Sequence, residues 1–449
     1  MRSTKTRGLG LVALTAALAL VVAGCGSDDA NGDEPDNDPT QAQTDTPPQE
    51  EDPDPDENGE GNENGYGEEE EEVAPDRADA DLVIWADAVK AAALQEPAAA
   101  WGEANGITVA VQSVSGSLRD LFITADQAGN GPDVLLGAHD WIGALVQNSA
   151  IVPVLIPDTS DFSPTAIEAV TFNGQTFGVP YGVETLGLFV NNDLTDVPEP
   201  ATIEEMVEAG RAGGAEHPLC LQLGLGGDAY HMQPLFTSGG GYIFGKNPDG
   251  SLNAADIGVD SDGGLAAAEL IGALGTDGVL RTSIDWTNSI PLFAEGQCAY
   301  LISGPWAITP IIEGGIDYTI SVIPGFAAGG QARSFATVNN FYVAANGINQ
   351  AFAQQFVADI LVSSDVVLGM FVSNQMPPAQ ISLMTQIEAD FSDMAKFGEL
   401  SAAADPMPAI PEMSAVWGPL GQSYAAVVDG ADPAETFRAA AAAIREAIG

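Results

Sequence analysis

The sequence predicts an α/β protein whose parallel sheet strands are covered by helices. Three observations carry that prediction. From about residue 80, short apolar runs alternate with longer segments of helical length in the order β-α-β-α-β. The runs are unbroken rather than alternating, as in strands buried on both faces. At 449 residues the chain is also long enough for two domains.

The first 24 residues read as an export signal. Arg2, Lys5 and Arg7 supply a positive start, and Leu9 to Val22 an apolar run. The small pair Ala23-Gly24 then precedes Cys25. Val22-Ala23-Gly24-Cys25 resembles the lipobox of bacterial lipoproteins, which implies that Cys25 is the lipidated first residue of the mature chain. Between Gly26 and Asp76 there are 21 acidic side chains and no Lys or Arg. Such a stretch has too little apolar surface to offset its ordering entropy, and its like charges extend it. Residues 25–79 are therefore expected to be a lipidated Cys and a disordered acidic tether.

The folded part follows. Asp81 to Trp85 reads as a first strand, Ala86 to Glu103 as a helix stopped by Gly106, and Ile107 to Val114 as a second strand. A helix over Leu118 to Gly129 leads to the turn Gly131-Pro132-Asp133 and the apolar run Val134 to Leu136. That strand ends in Gly137-Ala138-His139-Asp140-Trp141, which delivers a carboxylate and an indole to the carboxyl edge of the sheet, where open α/β sheets bind ligands. The bland reading makes Asp140 the N-cap of the next helix. Phe177 to Val183, broken by Gly and Pro, reads as an extended approach rather than a central strand. Glu184 follows inside an apolar segment, where an unpaired carboxylate is costly unless it has a partner or faces a cleft. Leu219 to Leu225, Cys298 to Ile302 and Phe341 to Ala345 read as further strands, and the C-terminal part as mostly helical.

Composition excludes several functions. The net charge of -51 repels nucleic acid and anionic lipid surfaces. The three histidines are scattered and form no ligand pattern with cysteine, so no metal site and no cofactor is expected. Cys220 and Cys298 stand either as a disulfide of an exported protein or as two buried free thiols.

Several strand ends and loops carry the same payload: Asp140-Trp141, Glu184, Asp228 with Tyr230, Trp306 and Trp417. Carboxylates accept paired hydroxyl hydrogen bonds, and flat rings cover the C–H faces of pyranoses. Singly, each Trp is as well explained by core packing, and each carboxylate by a cap or a solvated turn.

Longer stretches add a resemblance. Leu82 to Trp85 (LVIW), Gly131 to Asp140 (GPDVLLGAHD), Val183 to Leu194 (VETLGLFVNNDL), Ser303 to Ala307 (SGPWA) and Met407 to Trp417 (MPAIPEMSAVW) resemble the maltose/maltodextrin-binding members of the extracellular solute-binding proteins of ABC importers. The resemblance implies a two-lobed, periplasmic-binding-protein-like (type II) α/β fold with hinge segments and a ligand cleft between the lobes. It implies one lobe from residues 80–184 plus 338–377 and another from 185–337 plus 378–449. It also implies a monomeric, lipid-anchored receptor on the outer face of the cytoplasmic membrane that hands a sugar to ABC permease subunits. Lys90, Asp140, Glu184 and Asp228 would bond sugar hydroxyls, Tyr230 would approach from the second lobe, and Trp306 and Trp417 would stack on sugar rings. The chain departs from the family pattern at Val89, Gly137, Trp141, Gly418 and Gly421, which removes hydroxyl contacts and a stacking platform; Trp141 is the candidate replacement for the lost surface. The competing readings are a receptor for a peptide or polyamine and a glycoside hydrolase. A hydrolase needs two carboxyl groups at a set distance, and no catalytic residue is assigned.

Overall fold

The computed structural model describes residues 74–449 except 363 and 375. The expected export signal, Cys25 and the acidic tether up to residue 73 lie outside the described residues.

Two sheets organise the described chain. The first runs in the order Asp405–Pro406, Phe335–Ala344, Val134–Ala138, Leu82–Ala86, Val109–Ser113, and Ile151–Val152 and Gly178–Thr185 also pair with Phe335–Ala344. Leu82–Ala86 is parallel to both its neighbours. All five of its residues are buried, because successive side chains enter different cores. Leu82, Ile84 and Ala86 pack with Leu94 of the helix Ala88–Asn105 and Phe356 of the helix Gln350–Val362. Val83 and Trp85 face the other way, toward Phe122 of Leu118–Ala128 and Leu145 of Ile142–Gln147. Helix Ala88–Asn105 starts at Asp87, whose carboxylate accepts the Lys90 N–H, and ends at Gly106 in the left-handed region.

The second sheet has the order Tyr318–Ser321, Gly187–Asn191, Cys298–Ser303, His217–Leu221. Its two faces pack separate apolar cores, one containing Leu188, Tyr300 and Ile302, the other Phe189, Cys298 and Leu301. Cys220 and Cys298 lie on adjacent strands with Cα atoms 5.9 Å apart and form a disulfide.

Three expectations are corrected. The sheets are mixed rather than parallel. Phe335–Ala344 runs antiparallel to Val134–Ala138, because the chain enters it from the second sheet and not through a covering helix. The segment expected as an extended approach is an eight-residue strand, Gly178–Thr185, paired with Phe335–Ala344. Pro180, which has no N–H to give, sits where the ladder shifts register between Asn339 and Asn340. The strand expected over Leu219 to Leu225 is His217–Leu221; Gly224, at φ 72°, turns the chain into the loop beyond it.

The chain crosses between the sheets at short joints. Gly178–Thr185 of the first sheet is separated from Gly187–Asn191 of the second by Leu186 alone. Phe335 packs in the second sheet's core while Ala336, its neighbour, packs in the first. Met370 and Phe371 divide in the same manner. Asp405–Pro406 returns once more to the first sheet, opposite Phe335 and Ala336.

Candidate functional site

The strand Val134–Ala138 ends in a 3-10 turn, His139–Trp141, which aims three side chains differently. His139 is fully buried. The Val338 N–H donates to its Nδ1 at 3.0 Å, and its Nε2 lies 3.1 Å from the Met407 carbonyl. This fixes a neutral ring with the proton on Nε2. Burial lowers its pKa from 6.5 to about 4. The histidine thus ties the end of this strand to both passages of chain from the second sheet.

Asp140 turns into a cavity of about 430 Å³, lined also by Arg119, Ile410, Met413 and Trp417. The following helix carries no side-chain cap bond, so the capping reading fails. Asp140 Oδ1 is buried and has no hydrogen-bond partner among the described residues. Burial raises the carboxyl to about 6, against the opposing charge of Arg119. Gly143 lets this helix close on the segment below the cavity, since a Cβ there would lie 2.4 Å from the Ala409 carbonyl. Trp141 lies back over Gly137, its ring 2.3 Å from where a Cβ at 137 would stand. The indole therefore fills the space a side chain at 137 would take.

Glu184 sits on Gly178–Thr185, opposite Thr337. Asn339 Nδ2 donates to it at 3.4 Å. Burial raises its carboxyl above the usual range, and the Lys90 charge and the Asn339 bond oppose that. Lys90 is thus near Glu184, but its ammonium is paired with Asp87.

Asp228 and Tyr230 come from the loop after His217–Leu221. Asp228 accepts from the His231 backbone N–H at 2.8 Å, His231 Nδ1 at 2.9 Å and Gln222 Nε2 at 2.6 Å. Burial would raise its pKa, but these bonds together lower it. The Thr337 hydroxyl donates to the Tyr230 hydroxyl oxygen at 3.3 Å, so the second-sheet loop touches the crossing strand. Burial raises the Tyr230 pKa, and the charges of Glu184, Asp228 and Asp140 all add to that rise.

The rings form one series. Trp306 meets His231 at 6.1 Å, His231 meets Tyr230 at 5.4 Å, Tyr230 stacks on Phe335 at 6.1 Å, and Phe335 meets Trp417 edge-on at 5.9 Å. Three expected residues, Tyr230, Trp306 and Trp417, are thereby joined through His231 and Phe335. Neither linking residue was legible as part of a site. Asp228 and His231 do stand three apart, a spacing that places two side chains on one turn. A second cavity, of about 490 Å³, lies beside Pro200, Val322, Pro324 and Lys396 and contains none of the expected residues. Its larger volume carries less weight than the unpaired carboxylate and indole of the first. Among the described residues no three His, Cys, Asp or Glu side chains gather as metal ligands.

Carboxylates and rings from both sheets thus flank one region where the chain crosses between them. A family model, bacterial extracellular solute-binding protein, matches residues 96–386. The chain belongs to the bacterial extracellular solute-binding proteins. Among its relatives in this family, the galactooligosaccharide-binding protein of Bacillus subtilis is 31% identical over 374 residues, covering 80% of this chain and 88% of that protein. A maltooligosaccharide ABC transporter solute-binding lipoprotein of Streptococcus pneumoniae is 26% identical, covering 79% of this chain and 86% of its own. The crystal structure of a cyclo/maltodextrin-binding protein complexed with maltotetraose superposes with a TM-score of 0.71 at 26% identity, covering 83% of this chain and 98% of that one. The two-lobed type II architecture of solute-binding proteins accounts for the two sheets and their short joints.

Proposed function

We propose that this solute-binding protein is the receptor component of an ABC importer and binds an oligosaccharide, of the galacto- or malto-oligosaccharide class, between its two sheets. The observation that carries this reading is the buried Oδ1 of Asp140, without a hydrogen-bond partner among the described residues, on a side chain that lines a cavity with Trp417. A buried acceptor without a partner is unfavourable, and a sugar hydroxyl satisfies it. The named sugars of the relatives point the same way.

Asp140, Glu184 and Lys90 serve as hydroxyl partners from the first lobe. Tyr230, Trp306 and Trp417 provide ring surfaces, with Trp141 over Gly137 as an added one. Asp228 belongs to the site through its loop. The lobes comprise residues 80–184 plus 338–377 and residues 185–337 plus 378–449, with a return to the first sheet at 405–406. Ligand contact with both lobes favours closure, because only a contact that differs between open and closed states shifts their balance. Cys25 is the lipid anchor and the acidic segment a tether, which holds a monomeric receptor outside the cytoplasmic membrane beside its permease subunits. No catalysis is assigned, in keeping with relatives that are binding proteins.

A thermal-shift panel of galacto- and malto-oligosaccharides, polyamines and short peptides tests the proposal. A ligand bound only by the folded protein raises its Tm. Stabilisation by an oligosaccharide is expected. Stabilisation by a polyamine or peptide alone, or hydrolysis of the sugar during the assay, refutes the reading.

A further inference from the structure

His231 occupies a position none of the expectations covered. It is 6% exposed and lies between the rings of Tyr230 and Trp306. Its Nδ1 is 2.9 Å from Asp228 Oδ2. A carboxylate only accepts, so Nδ1 carries the proton; in the neutral ring Nε2, on the far side, is then the acceptor. Nε2 is buried and has no hydrogen-bond partner among the described residues. Asp228 Oδ2 meanwhile takes a second donor, Gln222 Nε2, and Oδ1 takes the His231 N–H. The carboxylate is occupied by protein donors on both oxygens, whereas the ring it orients, in edge contact with Tyr230 and Trp306, has a buried nitrogen without a partner among the described residues.

We propose that His231 Nε2 is a ligand-binding atom, accepting a hydrogen bond from a solute hydroxyl seated against Trp306, and that Asp228 is a positioning residue which fixes the tautomer. The inference rests on the carbohydrate reading and sharpens it. The site requires a hydroxyl donor at one place in the sugar, because a fixed buried acceptor discriminates against an analogue that lacks the hydroxyl. Carboxylate-oriented imidazoles gain their specificity in this way: the bond at one nitrogen decides what the other can do.

The test is a calorimetric titration of maltotriose and of β-1,4-galactotriose into wild type, His231→Phe and His231→Gln. Phe keeps a flat ring between Tyr230 and Trp306 and removes both nitrogens; Gln keeps a hydrogen-bonding group. For whichever sugar wild type binds, Phe is expected to weaken affinity by tenfold or more, and Gln by less than the Phe variant. The unliganded Tm of each variant reports on folding. The wild-type imidazole 15N spectrum reads the same bond without a substitution, as a shift of the Nε2 resonance on adding the sugar. Unchanged affinity in the Phe variant, or an unmoved Nε2 resonance at saturation, overturns the inference while leaving the carbohydrate reading standing. A wild type that binds neither these sugars nor the others of the panel overturns both.

Discussion

Asp140, at the end of a first-sheet strand, and Trp417, at the start of the helix Trp417–Val428, line one cavity although most of the folded chain separates them in sequence. Each is fixed from behind. The histidine next to Asp140 is bonded to Val338 and Met407, and the indole of Trp417 packs edge-on to Phe335. The positions of carboxylate and ring are therefore set by the same crossing segments that join the two sheets.

With Asp140 in the proposed site, sugar binding should depend on pH with a defined sign. Burial holds its carboxyl at about 6 in the folded protein against the ordinary 3.8 when unfolded, so ionising it in place is a cost that grows as pH rises from 3.8 to about 6 and is complete above that. Sugar hydroxyls donate to the ionised form and lower that pKa. Affinity should tighten several-fold between pH 5 and 7.5, and Asp140→Asn should flatten the profile. Titrations across that range check both.

Glu184 lies on the joint between sheets, with one long hydrogen bond from Asn339 and the nearby charge of Lys90. Glu184→Ala should weaken sugar binding about tenfold or more, about 1.4 kcal/mol, while the unliganded Tm stays level or rises. Equal affinity in the variant would remove Glu184 from the site.

His139 acts on stability. Its folded pKa of about 4 lies below the unfolded 6.5, so the unfolded chain takes up protons first as pH falls. Its contribution is whole above about 6.5 and is lost progressively toward 4. Asp140 works in the opposite sense between 6 and 3.8, so the wild-type curve alone hides the effect. The informative quantity is the stability difference between wild type and His139→Gln by denaturant unfolding, which should narrow on acidification from 6.5 to 4. A gap that stays constant would contradict this role.

The Cys220–Cys298 bond closes a loop with a sequence separation of 78 inside the core of the second sheet. Replacing both cysteines by Ala should lower stability by about 2–5 kcal/mol. Sugar affinity should change less than threefold, since neither residue lines the cavity with Asp140. Unfolding curves and titrations of the double variant measure the two effects.

What the sequence made legible was local. Leu82–Ala86 and Val134–Ala138 stood out because strands buried on both faces are apolar without interruption. Gly178–Thr185 did not, since Gly and Pro weaken any strand pattern; only its long partner, Phe335–Ala344, makes it one. The carboxylates and indoles were visible as chemistry at strand ends, and the resemblance joined them into one site. His139 and His231 were missed because a single histidine carries no period, and their roles arise from contacts with distant backbone or with the next ring. The mixed direction of the sheets was hidden for a related reason: strand direction depends on how the chain crosses between lobes, not on residues within the strand.

Titration of oligosaccharide into wild type and Trp306→Ala is the most direct measurement of the central claim. Trp306 stands on the second sheet's side, is 38% exposed, and ends the ring series farthest from Asp140. A carbohydrate held by both sheets predicts saturable wild-type binding and an affinity at least tenfold weaker in the variant, with its Tm preserved. Wild-type binding matched in full by the variant, or no oligosaccharide binding by wild type, would contradict it.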